Sequence, residues 1–425
     1  MKFIRPFLCA LILGSASVFN AAHAQQLKPQ KFTYAAKPEA AGFSALRLAR
    51  VDAMLKKYTH NGTMPNAVTF IAKNGKIVHF KSYGYSNIES KTLVNNNSIF
   101  RIASQTKAIT SVALMMLYEE GKFLLDDPVS SYIPEFKNPQ VIVAINDKDS
   151  TASTRPAKRE ITVRDLLSHT SGIPYGNKMY AKAKIPGVNS LENETIGSVV
   201  KRLAKLPISH DPGEAYTYGL NTDVLGYLVE VLSGMPLDKY FKTKIFDPLG
   251  MADTYFYLPP NKKSRLVNLY GKDSLNAPLV FSTNIANQTY PYSGAKVYFS
   301  GGAGLVGPIE DYAKFCQMLL NGGTFNGNQI LGRKTIELMT CNQIGEKEVW
   351  DTGNKFGLGF EITTEKGNAK QMGNTGVYGW GGMYATDYKI DPKENLIFLI
   401  YTNANPFPNP DINKRYRGLV YQALK

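Results

Sequence analysis

Among the Ser-x-x-Lys tetrads of the 425-residue chain are Ser104-Gln105-Thr106-Lys107 and Ser293-Gly294-Ala295-Lys296. With 24 serines and 37 lysines, about two such matches arise by chance, so spacing alone assigns neither. Context separates them. Ser293 runs into glycine inside a Tyr/Pro/Ser-rich loop, whereas Ser104 opens a stretch, residues 104–120, that is apolar nearly all round (Ile109, Val112, Ala113, Leu114, Met116, Leu117). A helix without a polar face is a buried, central helix. Positions i and i+3 share one face of it, which sets Lys107 beside Ser104. Burial disfavours the charged amine and so lowers its pKa. A neutral amine next to a hydroxyl is a general base for a serine nucleophile. The helix N-terminus adds a positive dipole and free N–H groups for an oxyanion. The same pair also reads as a capping serine and a snorkelling lysine, and the residues by themselves weigh the two equally.

Other chemistries lack their signals. No Gly-x-Ser-x-Gly elbow is present. His-Glu-x-x-His is absent, and the five histidines (His23, His60, His79, His169, His210) are scattered, so no metal site is expected. Gly302-Ala303-Gly304-Leu305-Val306-Gly307 matches the dinucleotide pattern, but Pro308 follows at once and no βαβ unit surrounds it. It reads as a turn before a helix starting near Ile309, and no organic cofactor is expected.

The elements that must hold the tetrad can be read from the rest of the chain. Residues 1–24 carry Lys2 and Arg5, an apolar run from Phe7 to Phe19 and an Ala22-His23-Ala24 cleavage site. This predicts a secretory signal peptide and a periplasmic or secreted protein. No later stretch reaches about 18 apolar residues, so no membrane span is expected. Without Lys2 and Arg5 the net charge falls from +15 to +13. No nucleic-acid-binding signature accompanies that charge, and it reads as a cationic exported surface. The 44% hydrophobic and 20% charged composition is that of a globular protein. Ser44 caps a helix with Leu48, Val51, Leu55 and Tyr58 at helical spacing. Two β-rich runs around Asn74-Gly75 predict a hairpin. Residues 137–160 read as a surface insertion, and helical patterns dominate 162–250. Strands return over Phe356–Thr363, Gly382–Ile390 and Asn395–Tyr401, before a closing helix over Asp411–Leu424. Cys316 lies in an apolar helical run and reads as a buried free thiol. One sheet built from both chain ends, with helices between, predicts two lobes and a cleft.

Several segments then coincide. Phe100-Arg-Ile-Ala-Ser104-Gln-Thr-Lys107, Met116-Leu-Tyr-Glu-Glu-Gly121, Leu166-Leu-Ser-His-Thr-Ser-Gly172, Pro212-Gly-Glu-Ala-Tyr-Thr-Tyr218-Gly, Ser300-Gly-Gly-Ala-Gly-Leu305 and Gly379-Trp380-Gly381-Gly382 resemble, in order, the serine β-lactamase and D,D-peptidase superfamily. The nearest branch is the class C-like group with the family VIII carboxylesterases. The resemblance implies an α/β (α+β) β-lactamase-like fold: an antiparallel sheet flanked by helices, plus an all-helical lobe. The α/β lobe would use about residues 25–110 and 295–425, and the helical lobe about 111–294. It makes Ser104 the nucleophile and lets Lys107 share the base role with Tyr218. Trp380, Gly381 and Gly382 would lie on the strand edging the cleft, and the amides of Ser104 and Met383 would form the oxyanion hole. A phenol titrates near 10, so Tyr218 would need the positive charge that Lys107 supplies. His169 would be structural.

Two departures narrow the substrate. Leu220 stands where class C β-lactamases usually carry asparagine, and Trp380-Gly-Gly replaces Lys-Thr-Gly. An apolar, aromatic-lined site favours an apolar acyl group over a charged acylamide. The expectation is an exported serine hydrolase, foremost a carboxylesterase, taking a small-molecule ester. A β-lactamase or D,D-peptidase acting on lactams or peptidoglycan stems is the alternative. A non-catalytic cell-wall-binding relative is the third reading.

Overall fold

Asn74 and Gly75 both take positive φ, 52° and 71°, the geometry of a primed turn that matches the twist of paired strands. They close the predicted hairpin between β2 (Asn66–Lys73) and β3 (Lys76–Asn87). The computed structural model describes residues 28–425, apart from 147, 148, 188, 189, 191, 275 and 408–410. The signal segment expected over residues 1–24 lies outside the described residues.

Both ends of the chain build one sheet. β1 (Thr33–Tyr34), β2, β3 and β4 (Thr92–Leu93) come from the first hundred residues. β5 (Lys355–Phe356), β6 (Glu361–Ile362), β7 (Tyr378–Gly381), β8 (Asp387–Asp391) and β9 (Leu396–Tyr401) come from the last. The order is β1-β3-β2-β9-β8-β7-β6-β5, with β4 on β3. Every pairing is antiparallel except β1 on β3, which is parallel. The β2–β9 ladder, from Leu396↔Lys73 to Tyr401↔Val68, joins the two ends. Two expected strands are corrected. Phe356–Thr363 is split into β5 and β6, because Gly357 N donates to Phe360 O at 2.8 Å and closes a turn. The strand expected over Gly382–Ile390 starts only at Asp387, because Gly382 N bonds Thr386 O at 2.8 Å and Ala385 takes φ 67°.

Central strands are buried on both faces. Val68, Phe70, Ile397, Leu399 and Tyr401 face one core; Ala67, Ile71, Phe398 and Ile400 face the other. The period of two assigns alternate residues to opposite layers. The helices that matter here are α1 (Ala45–His60), α2 (Thr106–Glu119), α3 (Asn221–Ser233), α4 (Ile309–Leu320) and α5 (Asp411–Tyr421). Ser44 Oγ caps α1 by accepting from Arg47 N. Its buried Leu48, Val51 and Leu55 join α5 over the second face. α4 covers the first face, and α2, buried on nearly every side, packs against α3. Gly121 and Gly234, both with φ 69°, end α2 and α3 as C′ glycines do. Residues Gln140–Asn146 and Thr151–Pro156 form the largely exposed hairpin of the expected insertion. Cys316 is buried in α4, Cys341 is exposed, and both are free. Among the described residues no helix is long and apolar enough to cross a membrane.

One polar cluster ties α1 to the hairpin. Asp52 Oδ1 accepts from Tyr83 Oη at 2.5 Å and pairs with His79 Nε2 at 2.8 Å, while Oδ2 accepts from Lys81 Nζ at 2.7 Å. His79 Nδ1 lies 3.0 Å from Thr69 Oγ1. Burial works to raise the Asp52 pKa, but the hydrogen bonds from His79, Lys81 and Tyr83 outweigh it and hold the carboxyl well below its ordinary 3.8. The folded pKa therefore lies below the unfolded one. The stabilisation is complete above the unfolded value and is lost as pH falls toward the folded one. We expect Asp52→Asn to cost about 1–3 kcal/mol at neutral pH. In melting curves the gap from wild type should narrow steadily from about pH 5 to about pH 2; a gap independent of pH would contradict the charged role of Asp52.

Candidate active site

Ser104 sits in a single 3-10 turn, Ala103–Gln105, directly before α2. Ala103 is fully buried with φ 43°, a region that Cβ-bearing residues avoid unless the surroundings impose it. Those surroundings are rigid. The Gln105 carbonyl accepts from Tyr312 Oη at 2.8 Å, and its side-chain oxygen from Tyr401 Oη at 2.7 Å. Buried Arg101 donates to the carbonyls of Val267 and Asn287 at 2.7 and 2.9 Å. Gln105 N donates to Ile102 O at 3.1 Å, while the amides at the very start of the turn, Ser104 N among them, precede the first intrahelical bonds.

Lys107 points back at Ser104, as the i, i+3 spacing predicts. Its Nζ is 3.3 Å from Ser104 Oγ, 2.8 Å from Tyr175 Oη and 2.7 Å from Gly302 O. Three acceptors match the three N–H bonds of an ammonium. Here the expectation of a neutral amine is corrected. Burial does work to lower the Lys107 pKa. Tyr175 and Tyr218, the hydrogen bond to Tyr175 and the Asp223 carboxylate outweigh it, and the pKa stands above its ordinary value. That direction, with three acceptors around Nζ, favours the ammonium form of Lys107. Burial pushes the Tyr175 phenol up to about 12, against the pull of Lys107.

Tyr218 stands in an aromatic box. Trp380 Nε1 donates to its hydroxyl at 2.9 Å. Its ring centre lies 4.8 Å from His169, 5.3 Å from Tyr175 and 5.2 Å from Trp380, and 4.9 Å from Lys107 Nζ. His169 is 2% exposed, with Nδ1 against Asn221 Nδ2 at 2.9 Å. Burial and then Lys107 hold its pKa well below the usual value, so it is a neutral packing partner of Tyr218. Trp380 and Gly381 end β7, whereas Gly382 and Met383 lie in the turn beyond it. A Cβ on Gly382 would stand 2.4 Å from Ile102 O and from Thr386 Oγ1. The bare backbone lets this turn press against the chain two residues before Ser104. Glycine here serves contact between two protein segments.

Tyr175, Asp223 and Gly302 carry parts that sequence reasoning did not assign. Asp223 Oδ1 accepts from Ser300 Oγ at 2.6 Å and Gly302 N at 3.2 Å. That clamp aims the Gly302 carbonyl at Lys107. Burial pushes the Asp223 carboxyl up, against the bond from Ser300 and the charge of Lys107. An acid in the first turn of α3, directly before the apolar run that starts at Val224, was the available signal.

Two cavities meet at this point. One, of about 610 Å³, is lined by Ser104, Tyr218, Trp350, Trp380 and Met383, with Lys389 and Arg417 farther along. The other, of about 530 Å³, is lined by Ser104, Tyr175, Ile185, Leu220, Tyr298 and Met383. Among the described residues no cluster of His, Cys, Asp and Glu could hold a metal ion.

Residues 51–422 match the Beta-lactamase family, and the chain belongs to it. The chain is a serine hydrolase of the β-lactamase and penicillin-binding superfamily. It is 29% identical to an uncharacterised protein of Mycobacterium tuberculosis over 82% of this chain and 88% of that one. It is 28% identical to a candidate D-alanyl-D-alanine carboxypeptidase of Salmonella typhimurium over 89% of this chain and 88% of that one. Among solved structures, EstCE1, a hydrolase with promiscuous acyltransferase activity, superposes with a TM-score of 0.75 at 26% identity, covering 88% of this chain and 99% of its own. Simvastatin synthase LovD of Aspergillus terreus gives 0.74 at 23% identity, covering 89% and 98%, a likeness of fold. The β-lactamase-like fold and the superfamily read from the motifs are borne out.

A Cβ on Gly302 would stand 2.4 Å from Asp223 Oδ2. We expect Gly302→Ala to displace the clamp and cost about 1–3 kcal/mol of stability by overpacking. Labelling of Ser104 by a fluorophosphonate should slow markedly in the variant; unchanged labelling would show that the Gly302 carbonyl does not orient Lys107.

Proposed function

We propose that the protein is an exported carboxylesterase that works through an acyl-enzyme on Ser104. The observation that carries this reading is the buried Lys107 ammonium, 3.3 Å from Ser104 Oγ and 4.9 Å from the Tyr218 ring. Tyr218, whose ring lies beside that amine, takes the proton as Ser104 Oγ attacks the ester carbonyl. The role expected for Lys107 is thereby divided: Tyr218 takes the proton, and Lys107 holds Ser104 Oγ and the charge beside it. The tetrahedral oxyanion is held by the amides of Ser104 and Met383. When the acyl C–O bond breaks, Tyr218 returns the proton to the departing alcohol. Water then gives a proton to Tyr218 as its oxygen attacks the acyl carbonyl, and that proton passes to Ser104 Oγ as the acid leaves.

Leu220 and Tyr298, 8% and 4% exposed, line the second cavity with apolar surface and support an apolar acyl group. EstCE1 likewise supports an ester substrate. The reading of a D,D-peptidase or β-lactamase draws support from the Salmonella relative and from Lys389 and Arg417 in the first cavity. Export rests on the segment Met1 to Ala24, and N-terminal sequencing of the mature protein should begin at Gln25.

Intact-protein mass spectrometry after a fluorophosphonate probe should show one adduct on Ser104 and none in Ser104→Ala, with both chains melting alike. Lys107→Ala should lower ester turnover by at least about 10²-fold. Absence of an adduct on wild type would support the non-catalytic reading, and nitrocefin turnover well above that of p-nitrophenyl esters would put the lactam reading first.

A further inference from the structure

Trp350 has no task in the chemistry above, yet the backbone is bent to present it. Thr352 N donates to Val349 O at 3.2 Å, which makes Trp350 and Asp351 the central residues of a four-residue turn. Trp350 takes φ 47°, a conformation natural to glycine, asparagine and aspartate and resisted by a bulky side chain. The turn is pinned by buried Val349, whose carbonyl also accepts from Thr352 Oγ1 at 2.7 Å. The indole is 58% exposed, against 7% for Trp380. The two stack at 5.5 Å with 27° between planes, and the edge of Trp350 meets Tyr218 at 5.7 Å. Trp350, Trp380 and Ser104 line the same cavity. Strained residues persist where the surroundings over-determine them, and they cluster at ligand clamps. A large rigid aromatic is also the residue type that carries recognition energy at low entropic cost.

We propose that Trp350 is a specificity-determining residue: the platform on which a planar ring in the alcohol half of the ester stacks, while the acyl half fills the pocket of Leu220 and Tyr298. The inference rests on the carboxylesterase reading. The outer face of Trp350 is open to solvent, which suits the half that departs first. The acyl half must stay through the covalent intermediate and takes the pocket with the buried lining. The acyl C–O bond is the one broken, and the ring leaves as its alcohol carrying the proton that Ser104 lost.

Two butyrate esters test this, benzyl butyrate and cyclohexylmethyl butyrate. They share the acyl group and differ in ring planarity. In the full chain, Trp350→Ala should lower kcat/KM for the benzyl ester at least about fivefold more than for its saturated counterpart, with the difference in KM, and Trp350→Phe should recover most of it. Equal losses on both esters would overturn the platform and leave Trp350 a prop for Trp380. A Trp350-dependent preference for ethyl phenylacetate over ethyl cyclohexylacetate would overturn the assignment to the alcohol half. Melting curves show whether the alanine variant folds, and the phenylalanine variant carries the test if it does not. Wild type that neither cleaves these esters nor takes the Ser104 probe fails at the carboxylesterase reading, and the platform falls with it. Turnover with a flat benzyl-to-cyclohexylmethyl ratio across the variants fails the platform alone.

Discussion

A positive charge buried at the start of α2 is the constraint on which the site depends. Removing an ammonium from water is costly unless its donors are satisfied and opposing charge or polarity surrounds it. Lys107 meets that demand with three acceptors drawn from three places: the hydroxyl one turn back, the phenol of Tyr175 and the carbonyl of Gly302. Each lies on a different part of the chain. Holding the cation therefore also holds the nucleophile, a phenol and the loop behind α2 in one arrangement. Burial, and after it the charge of Lys107, holds the His169 pKa well below its usual value, so the imidazole next to Tyr218 does not compete for the proton.

The scaffold makes this geometry possible by joining the ends of the chain. β2 and β9 are neighbours in the sheet. α4 packs on one face of that sheet, and the turn that opens α2 meets the end of β7, which brings residue 104 beside residues 380–383. The contact is tight at two points. Ala103 adopts a left-handed conformation to turn the chain into the helix, and Gly382 lacks the Cβ that would strike the Ile102 carbonyl. Strain on one side and a missing side chain on the other bring two backbone segments together where the amides of an oxyanion hole belong. Two cavities opening from Ser104, one apolar and one walled by stacked indoles, divide the space around it into halves of different chemistry.

The legible parts were those with a local cause. The Ser44 cap, the Asn74-Gly75 turn, the all-apolar run of α2 and the glycines that end helices each follow from a few consecutive residues. So does the turn at Gly302–Gly307, where Pro308 rules out a nucleotide loop. Strand limits near the cleft were less legible. The runs 356–363 and 382–390 are β-rich in composition, but turns of i, i+3 and i, i+4 type interrupt them, and composition does not register a reversal. The close approach of Gly382 was illegible for a related reason. The residue it approaches, Ile102, is 280 positions away in sequence.

The sequence by itself determined that Lys107 stands one turn from Ser104 on a buried helix, because helical periodicity is local and the apolar run leaves no face for solvent. It determined as well, through motif order, which family the chain belongs to. The protonation state of that lysine was decided by tertiary structure alone. Desolvation, the only influence visible along the helix, works toward the neutral amine. Tyr175, Tyr218 and Asp223 reverse it, and charge acts through space between groups that share no segment of chain. For the same reason Trp350, which no motif marks, acquires its place over the cleft only when the sheet brings its turn beside Trp380.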